Sequence, residues 1–202
     1  MKSTRLQELW VPYAGDDDAA RSEWAALIER WSEPQRAYHT LEHLLLMLEL
    51  LAAQHAQPAT MLAAWYHDAV YDPTSTTNEA DSAQLAREAL IRLDRNDLAE
   101  RVTELIMLTA EHTDAPDDEA ALLLDADLAI LGQPPVSYLR YVAGVRAEYA
   151  HVSDEDFRIG RSAILQGLLA HEQLYQHPEF GYLEAPARAN IAAELEVYAA
   201  AT

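Results

Sequence analysis

The sequence predicts an all-α fold on three observations. Apolar residues recur at helical spacing in nearly every segment. The 6 glycines and 9 prolines fall mostly at the breaks between those segments. Few runs alternate apolar and polar residues as a half-buried strand does. Half of the 202 residues are apolar, enough to bury one core without staples. No repeat, low-complexity tract or linker divides the chain, so residues 1–202 are expected to form a single domain. The absence of cysteine removes disulfides, thiolate metal ligands and a cysteine nucleophile.

The elements follow in order. Arg5 to Trp10 reads as a short helix closed by Pro12, and Asp16-Asp17-Asp18 caps a second helix to about Trp31. Trp24, Leu27, Ile28 and Trp31 form its apolar stripe. Arg36 to His43 runs into Leu44–Leu51 as a third helix, rich in Leu, Met and Glu. A fourth spans Ala59 to Tyr71 and stops at Asp72-Pro73. Next come a helix from Glu79 to about Leu93, capped by Asn78 or Thr77, and another from about Asn96 to Glu111. An acidic loop from Asp114 to Glu119 precedes a helical run from Ala120 that Gly132 and Pro134-Pro135 stop. Helices over roughly Ser137–His151, Asp154–Tyr175 and Ala185–Ala200 complete the chain.

Charge narrows the function. The net charge of −20, from 14 basic against 34 acidic residues, repels nucleic-acid backbones and anionic membranes. Nucleic acid and membrane are therefore not expected as partners. A small phosphorylated substrate stays open, because a metal ion and a few arginines can reverse the field locally. Neither a signal peptide nor an apolar run of membrane-spanning length is evident, so the expected location is cytoplasmic. Trp10, Trp24 and Trp31 can line either a core or a homodimer contact.

Chemistry concentrates in Leu62-Ala-Ala-Trp-Tyr-His-Asp-Ala-Val-Tyr-Asp72. His67 and Asp68 interrupt an apolar helix, and on a continuous helix Asp72 shares the face of Asp68. Burying imidazole and carboxylate is costly unless something satisfies them. A divalent metal would do so; a hydrogen-bonded His-Asp pair in the core is the competing reading. His39 and His43, four apart, would share one face of a helical turn. Asp125 and Asp127 lie inside an apolar run, where unpaired carboxylates are almost never buried; a cap or a solvated turn competes for each.

The order His…His-Asp…Asp, with each part helical, resembles the HD superfamily of metal-dependent phosphohydrolases over roughly residues 36–132, leaving 133–202 as C-terminal helices. Arg36-Ala-Tyr-His, Trp65-Tyr-His-Asp-Ala-Val-Tyr-Asp, Asn78-Glu79 and Leu124-Asp-Ala-Asp-Leu-Ala-Ile-Leu-Gly are similar to a bacterial subfamily of predicted HD phosphohydrolases. The resemblance implies one divalent ion (Mn, Fe, Co, Ni, Mg or Zn) held by His43, His67, Asp68 and Asp127, with Asp125 in reserve for Asp127. His39 stands in reserve for His43, and its own implied part is acid or substrate contact. Leu128 occupies a position where those relatives carry a basic residue. Asp72 is implied as general base, although the preceding position is Tyr71 where related hydrolases carry Glu. His112 is implied as acid or phosphate donor, Arg36 as phosphate contact, and Asn78 and Glu79 as residues facing the site. Solvation or helix capping explains Arg36, Asp72, Asn78, Glu79 and His112 equally well. The implied reaction is hydrolysis of a phosphate ester or anhydride, with a nucleotide as one candidate substrate. An HD-type di-iron oxygenase and a non-catalytic metal- or ligand-binding domain are the alternatives.

Overall fold

The computed structural model describes residues 2–111 and 114–200 (of Lys2, the backbone alone), and His112 therefore lies outside the described residues. Among those residues the secondary structure is entirely helical. Ten α-helices run Lys2–Ala14 (α1), Asp18–Arg30 (α2), Leu41–Ala53 (α3), Pro58–Tyr66 (α4), Asn78–Arg92 (α5), Asn96–Leu108 (α6), Asp118–Leu128 (α7), Pro135–Glu148 (α8), Asp154–Ala170 (α9) and Glu184–Ala200 (α10). Single 3-10 turns cover Ala129–Gly132 and Pro178–Leu183. No helix among the described residues is long and apolar enough to cross a membrane.

Helix α4 is the hub. Every residue from Ala59 to Tyr66 is buried, and α4 packs against α1, α3, α5, α6 and α7. A helix apolar on all sides has to sit inside the fold. Trp10 stands edge-on to Trp65 with ring centres 5.2 Å apart. The indole N–H of Trp31 donates to the Trp65 carbonyl at 3.0 Å, and that of Trp10 to the Ala20 carbonyl at 3.1 Å. Trp10 and Trp31 are thus core residues, each with the polar partner that a buried indole needs. The buried apolar cluster runs unbroken from Leu6 to Ile191 and includes residues of α9 and α10.

Several helix ends differ from their sequence-based positions, each for a local reason. Pro12 lies inside α1. Its missing N–H costs one bond, to the carbonyl of exposed Glu8, which water can replace. Gly15, at φ +97°, closes the helix by donating to the Val11 carbonyl at 3.0 Å.

Helix α3 starts at Leu41, not at Arg36. The N–H groups of Ala37, Tyr38 and His39 all donate to Oε1 of Glu148, at 2.8, 2.8 and 3.0 Å. A carboxylate at the end of α8 thus takes donors that an earlier helix would have needed, and Thr40 becomes the N-cap.

Helix α4 stops at Tyr66. The His67 ring Nδ1 bonds the Ala64 carbonyl at 2.9 Å, and a continued helix would have used that carbonyl. The next donors go to α5: Val70 N–H to Ser82 Oγ at 3.0 Å and Asp72 N–H to Asn78 Oδ1 at 3.0 Å. Helix α9 ends at Ala170 rather than Tyr175. Arg188 bonds the Leu169, His171 and Glu172 carbonyls, and Glu184 collects the N–H groups of Leu174 and Tyr175.

The two 3-10 turns fix how the C-terminal helices meet the core. A Cβ added at Gly132 would lie 2.6 Å from Leu183 Cβ and 2.8 Å from the Leu183 carbonyl oxygen. We expect Gly132→Ala to destabilise the protein by about 1–3 kcal/mol through overpacking. Urea denaturation at pH 7 measures this, and a variant as stable as wild type would contradict the contact.

Candidate metal centre and its cavity

Three helix ends bring the candidate ligands together. His43 comes from the first turn of α3, His67 and Asp68 from the turn that ends α4, and Asp127 from the last turn of α7. His43 Nε2 lies 3.0 Å from Asp127 Oδ1, and His67 Nε2 lies 3.2 Å from Asp68 Oδ2 and 3.7 Å from Asp127 Oδ1. Yet both Nε2 atoms are buried without a hydrogen-bond partner. The nitrogens point among the carboxylate oxygens, not along a hydrogen bond to any of them. One ligand atom from each of His43, His67 and Asp68 falls within a 4.8 Å span. Two imidazoles and two carboxylates make a mixed donor set that fits a divalent cation.

The outer contacts support that fit. His67 Nδ1 donates to the Ala64 carbonyl at 2.9 Å, and His43 Nδ1 meets the Tyr38 hydroxyl at 3.0 Å. With Nδ1 donating, as at His67, Nε2 of a neutral ring offers its lone pair to the centre, and at His43 the same follows when Nδ1 donates to the Tyr38 oxygen.

Charge points the same way. Burial lowers the pKa of His43 although Asp127 opposes it, so this imidazole favours the neutral form that binds metals. Burial also pushes His67 down, but Asp68 and Asp127 outweigh it and raise its pKa to about 9. Burial pushes Asp68 up, yet His67 and His39 hold it well below the usual carboxylate range. The buried carboxylates call for positive charge, which either a His67 proton or a cation supplies.

The centre forms the floor of a cavity of about 570 Å³ between the core helices and the helices α8 and α9, with His39, His67, Asp68 and Asp127 in its lining. His39 is a cavity residue, not a helix partner of His43. Its Nδ1 lies 2.8 Å from Glu148 Oε2 and its Nε2 3.8 Å from Asp68 Oδ2. Burial lowers its pKa, but Asp68 and then Glu148 raise it more, and the net shift is upward.

The remaining predicted residues divide. Asn78 and Glu79 line the cavity, and the Asn78 amide also donates to the Asp72 carbonyl at 2.9 Å, pinning the loop. Arg36 is buried and turned away from the cavity. Its guanidinium bonds Glu33, the His39 carbonyl and the Ala69 carbonyl and lies over the Trp31 and Tyr71 rings. It ties two loops together, which corrects its expected place at the phosphate. Asp72 is exposed and outside the cavity lining. Its Oδ1 accepts from Thr74 N–H at 2.8 Å and Thr74 Oγ1 at 2.7 Å, which lowers its pKa. It shares no helix face with Asp68 because α4 ends first, and this corrects its expected place as base. Asp125 points away from Asp127. It accepts from the N–H groups of Gln176 at 3.0 Å and His177 at 2.6 Å, and burial raises its pKa to about 6 despite those bonds.

Glu148 was missed in the sequence, and Arg161 was given no role there. Glu148 binds His39, Tyr71 and three backbone N–H groups, yet in Arg146-Ala-Glu148-Tyr it looks like one more acidic helix residue. Arg161 lines the cavity while paired with Glu194 at 3.0 Å. The run Phe157-Arg-Ile-Gly-Arg161 carries the mixed apolar and cationic character of that wall of the cavity, and only the fold shows where it points. Comparison of the chain with family models, curated proteins and solved structures gives no match.

Burial pushes Glu148 up, but the bonds and charge of His39 and the backbone N–H groups bring its pKa down from 4.5 to about 2. A depressed carboxylate contributes stability that is present above its unfolded pKa and lost as pH falls through the folded one. Glu148→Gln keeps an acceptor for the three N–H groups but cannot titrate. We expect the wild-type advantage over E148Q to be full above about pH 5 and to shrink by about 3 kcal/mol towards pH 2. Urea titrations across that range measure it, and a pH-independent difference would contradict the assignment.

Proposed function

We propose that the protein is a metal-dependent phosphohydrolase of the HD type, acting on a small phosphorylated molecule in the cytoplasm. One observation carries the proposal. Two buried imidazole Nε2 atoms without hydrogen-bond partners converge on two carboxylates at the floor of a cavity. The order of these residues along the chain resembles that superfamily, which supports the same reading.

His43, His67, Asp68 and Asp127 would hold one divalent ion. We prefer a single ion because one His and acidic group among the described residues converges closely enough. When bound, such an ion supplies Lewis acidity towards water and towards a phosphoryl oxygen. The protein supplies positioning and a proton. Glu148 fixes the His39 ring through Nδ1 and leaves Nε2 on the cavity side near Asp68. Asp68 and Glu148 raise the pKa of His39, which favours the protonated ring that would hand its Nε2 proton to an oxygen leaving phosphorus. Tyr38 holds His43 in register, and Glu148 in turn holds the Tyr38 backbone.

Mn²⁺-loaded protein tested with p-nitrophenyl phosphate, bis-p-nitrophenyl phosphate and nucleoside monophosphates should hydrolyse at least one of them. Asp68→Ala should lose both metal and turnover. His39→Ala should retain metal and lose about 100-fold or more in kcat. Bound metal with no turnover of any of these esters would contradict the proposal.

A further inference from the structure

Part of the cavity lining has a different chemistry from the His and Asp cluster. Ile130, Val145 and Ile164 form this part together with Tyr141, Tyr149 and Phe157. Tyr141 stands edge-on to Tyr38, ring centres 4.6 Å apart, and Phe157 lies 6.2 Å from Tyr149. Such a surface is matched by an apolar or aromatic group, not by a sugar or a chain of phosphates.

The charges on this wall lead to the same conclusion. Arg161 is the one Lys or Arg side chain lining the cavity among the described residues. Its charge is already balanced, because Nε and Nη2 meet the two carboxylate oxygens of Glu194 at 3.0 and 3.3 Å. It also lies over the Tyr141 ring, 4.9 Å from the centre, as part of the aromatic wall. Glu79 and Asp156 add negative charge to the lining. A triphosphate or diphosphate would bring several charges into a cavity with one paired arginine, within a chain of net charge −20. A single phosphate can instead be met by the ion at the floor.

We infer that the site selects phosphate monoesters of aromatic or bulky apolar alcohols, with the phosphate at the floor and the apolar group against Tyr141, Tyr149 and Phe157. This rests on the phosphohydrolase reading and narrows its substrate class. The reaction remains hydrolysis. Water oxygen bonds to phosphorus, the bond from phosphorus to the alcohol oxygen breaks, and the alcohol departs with the proton from His39.

Gly160 offers a handle on the chamber. It belongs to the lining, and a Cβ added there meets nothing within 4 Å. A side chain can therefore be introduced at this exposed lining position with no clash at its Cβ, where glycine is itself unfavourable in a helix.

The test compares 1-naphthyl phosphate, glycerol 3-phosphate and ATP as substrates of the Mn²⁺-loaded full-length protein and of Gly160→Leu. Thermal unfolding checks that the variant folds. We expect kcat/KM for 1-naphthyl phosphate at least about 10-fold above both other substrates. In Gly160→Leu the naphthyl-to-glycerol ratio should fall about 10-fold. Equal rates, or a preference for ATP, would overturn the substrate class and leave the phosphohydrolase standing. A Gly160→Leu ratio equal to that of wild type would overturn the placement of the apolar group. No turnover of any of the three would overturn this inference, and if p-nitrophenyl phosphate, bis-p-nitrophenyl phosphate and nucleoside monophosphates are also left intact with metal bound, the phosphohydrolase reading falls with it.

Discussion

A buried carboxylate that collects backbone N–H groups is the interaction on which this architecture depends. Glu148 accepts from Ala37, Tyr38 and His39 through one oxygen and meets the His39 ring and the Tyr71 hydroxyl through the other. A helix broken inside a fold leaves donors that must find partners. Glu148 meets that need from the end of α8, more than a hundred residues further along the chain. The same device recurs. Asp125 takes the Gln176 and His177 N–H groups, and Glu184 those of Leu174 and Tyr175. Glu148 accounts for the late start of α3 and Glu184 receives donors of the segment after α9, while Asp125 ties residues 176–177 to α7.

The breaks place the chemistry. Because α3 starts late, His39 stands in a loop held by Glu148 and faces the cavity, while His43, one helical turn further on, faces Asp127 and His67. Because α4 stops at Tyr66, His67 turns its Nδ1 back to its own helix and its Nε2 towards Asp127. A continuous helix through Tyr71 would have put Asp72 in line with Asp68. The broken one leaves Asp72 in a solvent-exposed turn, stabilised locally by Thr74.

Helical periodicity located every α-helix among the described residues because each buries an apolar stripe or, for α4 and most of α7, every side. Helix ends were legible where a local residue decides them, as at Asp17, whose side chain caps α2; Gly132 marks the end of the 3-10 turn after α7, which itself ends at Leu128. They were not legible where the deciding residue is distant, as with Glu148 for α3 and Arg188 for α9. His67 and Asp68 stood out because polar side chains inside an apolar run need partners, whereas His43 over His39 and Asp127 over Asp125 followed from the resemblance to the HD superfamily. The choice of Asp127 over Asp125 is a matter of helix phase: two residues apart, they point to opposite sides of α7, one to the histidines and one to the 176–177 backbone. Arg36 misled because an arginine beside a Tyr-His pair carries no sign of whether it faces a ligand or the protein. Its buried contacts to two loops decide that.

The central claim is that His43, His67, Asp68 and Asp127 form one cation site. Anomalous scattering at the manganese edge, from crystals soaked in Mn²⁺, tests it most directly. The account predicts one strong peak bounded by the Nε2 atoms of His43 and His67 and the carboxylates of Asp68 and Asp127, absent from Asp127→Ala crystals. A peak elsewhere, or none at this cluster at saturating Mn²⁺, would contradict it.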